Sequence, residues 1–178
     1  GCDEFVRIWS LESGSLLRKL RQGDGTNNCN RSVQSVGITH DGTRIVSGGF
    51  DKTSYVWSLG SGELLLTFDA KASGVLSVTP DDGEVIIAPG IGGSHDVIAF
   101  DLKTGKANVR YTSGEARSIQ SSLLSADGMV VYTAEQYLSN DGIGSKIVAW
   151  NFRTRRIKEL AITSAVQAMA LTPRRDKL

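Results

Sequence analysis

"VQSVGITHDGTRIVSGGFDKTSYVWSLGSGELLLTFD", from Val33 to Asp69, decides how this chain folds. Val33–Ile38 alternates apolar with small or polar side chains, the period of a half-buried strand. His40-Asp-Gly-Thr is a tight turn in which Gly42 is free to take a positive φ. Arg44-Ile-Val-Ser reads as the next strand and Gly48-Gly-Phe-Asp-Lys as the next turn. Thr53–Leu59 is β-branched and aromatic, again strand-like. Gly60-Ser-Gly turns the chain once more, and Glu63–Phe68 closes the unit. Turn signals every ~8–12 residues, with no 3.6-residue period, predict an all-β unit of four short strands.

The unit recurs on both sides. Its aromatic third-strand residue appears as Trp9, Trp57, Phe100 and Trp150, at intervals of 48, 43 and 50 residues. A third copy runs from about Val75 through PDDG, EVIIA, VIAFDL, KTG and KANVRY. A fourth runs from Ala116 through ADG, MVVYTA, KIVAWNF, RTR and RIKELAI. The chain opens with two strands, FVRIWSL and SLLRKL, and closes with one, AVQAMALT, before PRRDKL. A period near ~40–45 residues, stretched by insertions, is that of four-stranded propeller blades. The predicted organisation is one propeller segment of about three and a half blades. Residues 1–21 end a blade, residues 33–69, 74–112 and 116–163 form whole blades, and residues 165–178 start another. Stacking blades radially buries faces that one sheet cannot bury alone.

The stretch Val33–Trp57 resembles the WD-repeat family of β-propellers, and the resemblance extends over essentially the whole chain. A valine-rich inner strand, an Asp-Gly turn, Ser-Gly, then Asp-x-Thr and Trp follow that family's order. Asp51 stands six residues before Trp57, and Asp3 six before Trp9. The resemblance implies a longer parent, commonly of seven blades, acting as a non-catalytic scaffold for partner proteins. The member is divergent. The family's Trp-Asp pair is written here as Trp9-Ser10, Trp57-Ser58, Phe100-Asp101 and Trp150-Asn151, and its Gly-His aligns with Asn28-Cys29. In the second blade only Ser47, Asp51 and Trp57 remain of the family's buried hydrogen-bond network. The third and fourth blades, lacking the turn Asp at the matching position, are expected to rest mainly on apolar packing.

In such a meander alternate connections share a rim. One rim carries the tight turns HDG, GSG, PDDG, KTG, ADG and RTR. The other carries the long connections Gln22–Ser32, Pro89–Asp96 and Glu135–Ser145. Long loops in a compact domain favour binding roles. The candidate partner-binding residues are therefore Asn27, Asn28, Asn30, Arg31, Phe50, His95, Tyr137, Asn140 and Asp141, with Phe50 the sharpest as a turn aromatic. On the tight rim, Arg153, Arg155 and Arg156 in one turn and Arg174, Arg175 and Lys177 in the next suggest a basic patch for an acidic partner or phosphate.

Composition narrows the rest. Of 178 residues, 40% are hydrophobic and 22% charged, which fits a globular chain and not a disordered one. A net charge of +1 offers no global attraction to nucleic acid or an acidic membrane. No apolar run approaches the ~18–20 residues that cross a bilayer. The opening GCDEF has no signal-peptide pattern and already stands inside a repeat, so a segment of a longer intracellular, cytoplasmic protein is expected. Cys2 and Cys29 read as unpaired thiols, and with His40 and His95 they lack metal-ligand spacing. There is no phosphate loop and no nucleophile with a base, so no cofactor, metal or catalytic residue is expected. One alternative comes from "DVIAFDLKTGKANVRY", from Asp96, which resembles the repeat of quinoprotein-type propeller oxidoreductases. The match holds in one unit only. A closed four-bladed ring, joining the two chain ends, is the alternative to a longer parent.

Overall fold

The computed structural model describes residues 3–22, 32–49, 51–69, 74–89, 96–113, 118–139, 142–162, 166 and 169–170. Every regular element among them is a strand. In chain order these are β1 (Phe5–Trp9), β2 (Leu16–Arg21), β3 (Val33–Ile38), β4 (Arg44–Gly49), β5 (Thr53–Ser58), β6 (Leu64–Asp69), β7 (Gly74–Val78), β8 (Glu84–Pro89), β9 (Asp96–Asp101), β10 (Ala107–Thr112), β11 (Ser118–Leu124), β12 (Val130–Ser139), β13 (Gly142–Asn151) and β14 (Arg156–Ile162). They form four antiparallel sheets, each in chain order: β1-β2, β3-β4-β5-β6, β7-β8-β9-β10 and β11-β12-β13-β14. β3 lies beside β7, and β7 beside β11, so the first strands of successive sheets gather on the inside. The chain is an all-β partial propeller of four-stranded antiparallel blades.

The repeated aromatics are pegs between sheets. Phe100 on β9 stacks on Phe68 of β6, centroids 4.5 Å apart. Trp150 on β13 stacks on Tyr111 of β10 at 5.4 Å. Trp57 on β5 packs with Val6 and Leu20 of the first sheet. Each third-strand aromatic thus meets the fourth strand of the preceding sheet. Around these pegs run continuous apolar layers, Val46, Val56, Val85, Ile87 and Ile98 between the second and third sheets, and Ile86, Val97, Val131 and Val148 between the third and fourth. Trp9, with no described sheet before it, is half exposed.

The departures from Trp-Asp keep one local function. At the turn after each third strand, an oxygen of the residue following the aromatic accepts a hydrogen bond from the backbone N–H three residues on. The pairs are Ser13 N to Ser10 Oγ at 3.1 Å, Ser61 N to Ser58 Oγ at 3.1 Å, Thr104 N to Asp101 Oδ1 at 2.7 Å and Thr154 N to Asn151 Oδ1 at 2.9 Å. Ser, Asp and Asn all initiate turns this way, so they interchange. The turns after the first strands repeat another bond: Thr39 Oγ1 to Asp41 Oδ1 at 2.6 Å, Thr79 Oγ1 to Asp81 Oδ1 at 2.6 Å, and Ser125 Oγ to Asp127 Oδ1 at 2.5 Å.

One expectation gains a polar detail and one changes. The second sheet keeps its buried bond, Trp57 Nε1 to Ser47 Oγ at 3.0 Å, and Tyr55 OH reaches Asp51 Oδ2 at 2.9 Å. The boundary of the third and fourth sheets rests mainly on apolar packing, as expected, and encloses one polar cluster. Glu135, fully buried, accepts from Ser113 Oγ at 2.5 Å, Thr133 Oγ1 at 2.9 Å and Tyr111 OH at 3.4 Å. Burial and the Glu135 charge together push the Tyr111 phenol up to about 12. The change concerns Glu135–Ser145, read as a loop. It is mostly strand: β12 and β13 pair without a break from Val130↔Asn151 to Ser139↔Gly142, leaving two residues between them. Alternation continues through Gln136-Tyr-Leu-Ser, and a two-residue link with glycine after it (Gly142, φ 120°) suits a hairpin.

A candidate interaction rim

The two rims differ in how their polar groups are used. On the tight-turn rim they are spent on neighbours. The backbone N–H groups of His40 and Asp41 donate to the Asp82 carboxylate at 2.6 and 2.9 Å, joining the second sheet's first turn to the third's. Asp82 stands at φ 54°, where the sister turns carry Gly42 and Gly128, and these bonds offset the strain. Arg44 Nη1 donates to the Leu102 carbonyl at 3.2 Å, and Arg18 Nη1 to that of Ser61 at 3.1 Å. Arg153 is not a free charge either: its Nη2 lies 3.1 Å from Glu84 Oε2 and 3.9 Å from Asp81 Oδ2, between the fourth and third sheets. The buried Glu84 carboxylate also accepts from Asn108 Nδ2 at 3.0 Å. Arg155 and Arg156 are exposed beside it. Of the proposed basic patch, Arg174, Arg175 and Lys177 lie outside the described residues.

Four aspartates of this rim, Asp41, Asp81, Asp82 and Asp101, are held below the usual carboxylate range. Thr39 and Thr43 donate to Asp41 and hold it down to about 2. Asp101, in the stretch that suggested a quinoprotein repeat, is lowered by the Thr104 N–H and hydroxyl and by the Lys103 N–H. Its oxygen serves a turn. Among the described residues no group of three or more His, Cys, Asp or Glu side chains could hold a metal.

The opposite rim carries the long connections. Asn27, Asn28, Asn30, Arg31, Phe50, His95, Asn140 and Asp141 lie outside the described residues. Described there are the Asp51-Lys52 turn and the β12-β13 hairpin. β11 pairs only as far as Gln136 and β14 as far as Ser145. Among the described residues, the pairs Tyr137↔Gly144, Leu138↔Ile143 and Ser139↔Gly142 lie beyond the last partners of β11 and β14. Tyr137, a sequence candidate, is half-buried: its ring lies across Gly144, where a Cβ would come within 2.6 Å of Cζ. Tyr137 thus stiffens the hairpin. The residues offered to solvent are Leu138 and Ile143, paired side by side and 59% and 66% exposed. Sequence reading passed over both. The alternation Tyr137–Leu138 was the available signal, hidden by the surrounding Ser, Asn, Asp and Gly.

The fold and this rim define a class: a partial β-propeller with one laced rim and one rim of long connections. No protein-family model matches the chain. A curated relative does: the chain is 34% identical over 70 residues to the small ribosomal subunit protein RACK1y of Oryza sativa subsp. japonica. The match takes in 39% of this chain and 19% of that protein, so it spans about a fifth of the relative's length. The relative is a WD-repeat propeller protein, and the similarity supports the WD-repeat resemblance without extending to the whole chain.

Proposed function

We propose that this chain is a divergent WD-repeat segment of a longer, seven-bladed intracellular protein. It serves as a non-catalytic scaffold that holds partner proteins through its long-connection rim. The observation that carries this reading is the β12-β13 hairpin, a stiff arm with Leu138 and Ile143 paired and bare at its end. Exposed apolar pairs on a rigid element suit an interface core, where a few side chains supply most of the energy. The rice relative is by name a small ribosomal subunit protein, which fits a role as one member of a larger assembly. The chemistry proposed is recognition, and two described carboxylates, Asp101 and Glu135, serve a turn and a buried hydroxyl cluster.

Site-specific photo-crosslinking from within the parent protein tests the reading. A photoreactive residue at position 138 should capture a defined partner, and Ile143→Asp should abolish the capture. The same probe at position 104, on the tight-turn rim, should capture little. Capture confined to position 104 would overturn the assignment.

A further inference from the structure

The turn after each third strand carries a hydroxyl at the same place: Ser13, Ser61, Thr104 and Thr154, all exposed. In three of these turns the hydroxyl is spent locally. Ser13 Oγ lies 2.7 Å from Ser15 Oγ, Ser61 Oγ donates to Glu63 Oε2 at 3.1 Å, and Thr104 Oγ1 donates to Asp101 Oδ1 at 2.9 Å. Thr154 engages only its backbone N–H, bonded to Asn151 Oδ1 at 2.9 Å, and its hydroxyl has no partner among the described residues. The fastening of the turns differs too. A backbone bond closes each of the first three, from Gly14 N to the Ser10 carbonyl at 2.9 Å, Gly62 N to the Ser58 carbonyl at 2.9 Å and Gly105 N to the Asp101 carbonyl at 2.8 Å. Arg155 stands in the place of those glycines, at φ 59°, and makes no such bond to the Asn151 carbonyl. The described cross-sheet bonds to these turns come from the preceding sheet, as Arg18 to the Ser61 carbonyl and Arg44 to the Leu102 carbonyl. The sheet preceding Thr154 is itself described, and it leaves Thr154 exposed.

Charge singles out the same residue. Arg153, Arg155 and Arg156 flank Thr154. Arg153 is committed to Glu84 at 3.1 Å, while Arg155 and Arg156 are exposed and have no ionic partner among the described residues. The positive φ of Arg155 is strain that a glycine would avoid, and such strain is retained where the side chain has a use.

We propose that Thr154 is a phosphorylation site, the acceptor for a protein kinase whose substrate groove is acidic. Thr154 Oγ1 attacks the γ-phosphorus of the kinase's bound ATP. The new O–P bond forms as the bond to the β,γ-bridging oxygen breaks, ADP leaves, and the hydroxyl proton passes to the kinase's carboxylate base. Arg155 and Arg156 draw the acidic groove by charge complementarity. The hydroxyl has no bond to give up, and a turn without its closing bond straightens more readily into a groove. The product places about −1.5 to −2 charges beside two unpaired guanidiniums. Phosphorylation thus brings this part of the tight-turn rim close to neutral. The long-connection rim plays no part in this inference, so either can fail alone.

The full-length protein is incubated with magnesium, ATP and the purified catalytic domain of an arginine-directed Ser/Thr kinase, and in parallel with one directed by acidic flanks. Mass spectrometry follows phosphate at the four equivalent positions. With the first kinase, phosphate should accumulate on Thr154 at least roughly tenfold faster than on Ser13, Ser61 or Thr104. The second kinase should leave Thr154 unmodified. Arg155→Gln with Arg156→Gln keeps the strained backbone and removes the charge. It should slow the Thr154 step at least roughly tenfold while the circular dichroism stays unchanged. Protein isolated from its own cells under phosphatase inhibition should carry the same mark. Equal rates at the four positions, modification of Thr154 by the acid-directed kinase, an unchanged rate in the double variant, or a Thr154 bare both in vitro and in cells each overturns the proposal.

Discussion

At the residue scale, the molecule keeps order by giving each buried or turn oxygen a specific donor. Removing the acceptor at Glu135 strands three hydroxyls inside the fold. Each unsatisfied buried donor costs about 1–3 kcal/mol. Glu135→Leu should therefore lower stability by about 2–3 kcal/mol after the remaining groups relax, read as a shifted urea midpoint. Asp41 gives a pH dependence. Its folded pKa, about 2, lies below the ordinary 3.8 because Thr39 and Thr43 donate to it. The unfolded chain therefore binds the proton more readily. The Asp41 contribution is complete above the ordinary value and is lost as pH falls through about 2. Asp81 and Asp101 are lowered by the same kind of bonds, so acid should loosen these turns together. Carboxylate titration by NMR should find all three below the usual range. These contacts were only half legible. Thr-x-Asp-Gly announces its own turn, but Glu135 meets Ser113 and Tyr111 across a sheet boundary, and nothing local in the sequence pairs them.

At the element scale, strands and turns were the most legible features, because period-2 alternation and glycine placement are local signals. Val33–Ile38, Thr53–Ser58 and Asp96–Asp101 lie where alternation and β-branching put them. The β12-β13 extension is hard to see in the sequence because dense Asn, Asp and Gly also signal a loop, although a two-residue link between alternating runs is equally a hairpin pattern. Two comparisons test the turns. Gly42→Ala and Gly128→Ala share one backbone strain, of about 1–2 kcal/mol, but only the second drives a Cβ into Pro80. Gly128→Ala should be the more damaging by a clear margin in thermal melts. Arg155 stands at φ 59°, where the sister turns carry Gly14, Gly62 and Gly105. Arg155→Gly should relieve that strain and stabilise the fold by up to about 1 kcal/mol, seen as a raised Tm. If Arg155 serves an acidic partner, the same change should weaken that binding.

At the scale of the whole molecule, repetition explains both the stability and the open surfaces. Each sheet is finished by its neighbour, through Phe68 on Phe100 and Tyr111 on Trp150. Where no described sheet follows this logic, apolar side chains stand in water: Trp9, Val36 and Ile38. The repeat period made the radial arrangement legible from sequence. The exposure of Ile38 was not, because it depends on which strands are present around that residue. The Arg153–Glu84 bridge was equally hidden, since its partners are brought together only by stacking. The proposed function treats these sheets as part of a larger propeller. Sedimentation and thermal unfolding of the isolated 178-residue chain test it most directly. The account predicts a broad, weak transition and a polydisperse mass from non-specific association of the bare faces. A monodisperse monomer of 19.1 kDa with a sharp cooperative melt would contradict it and require that the chain close on itself.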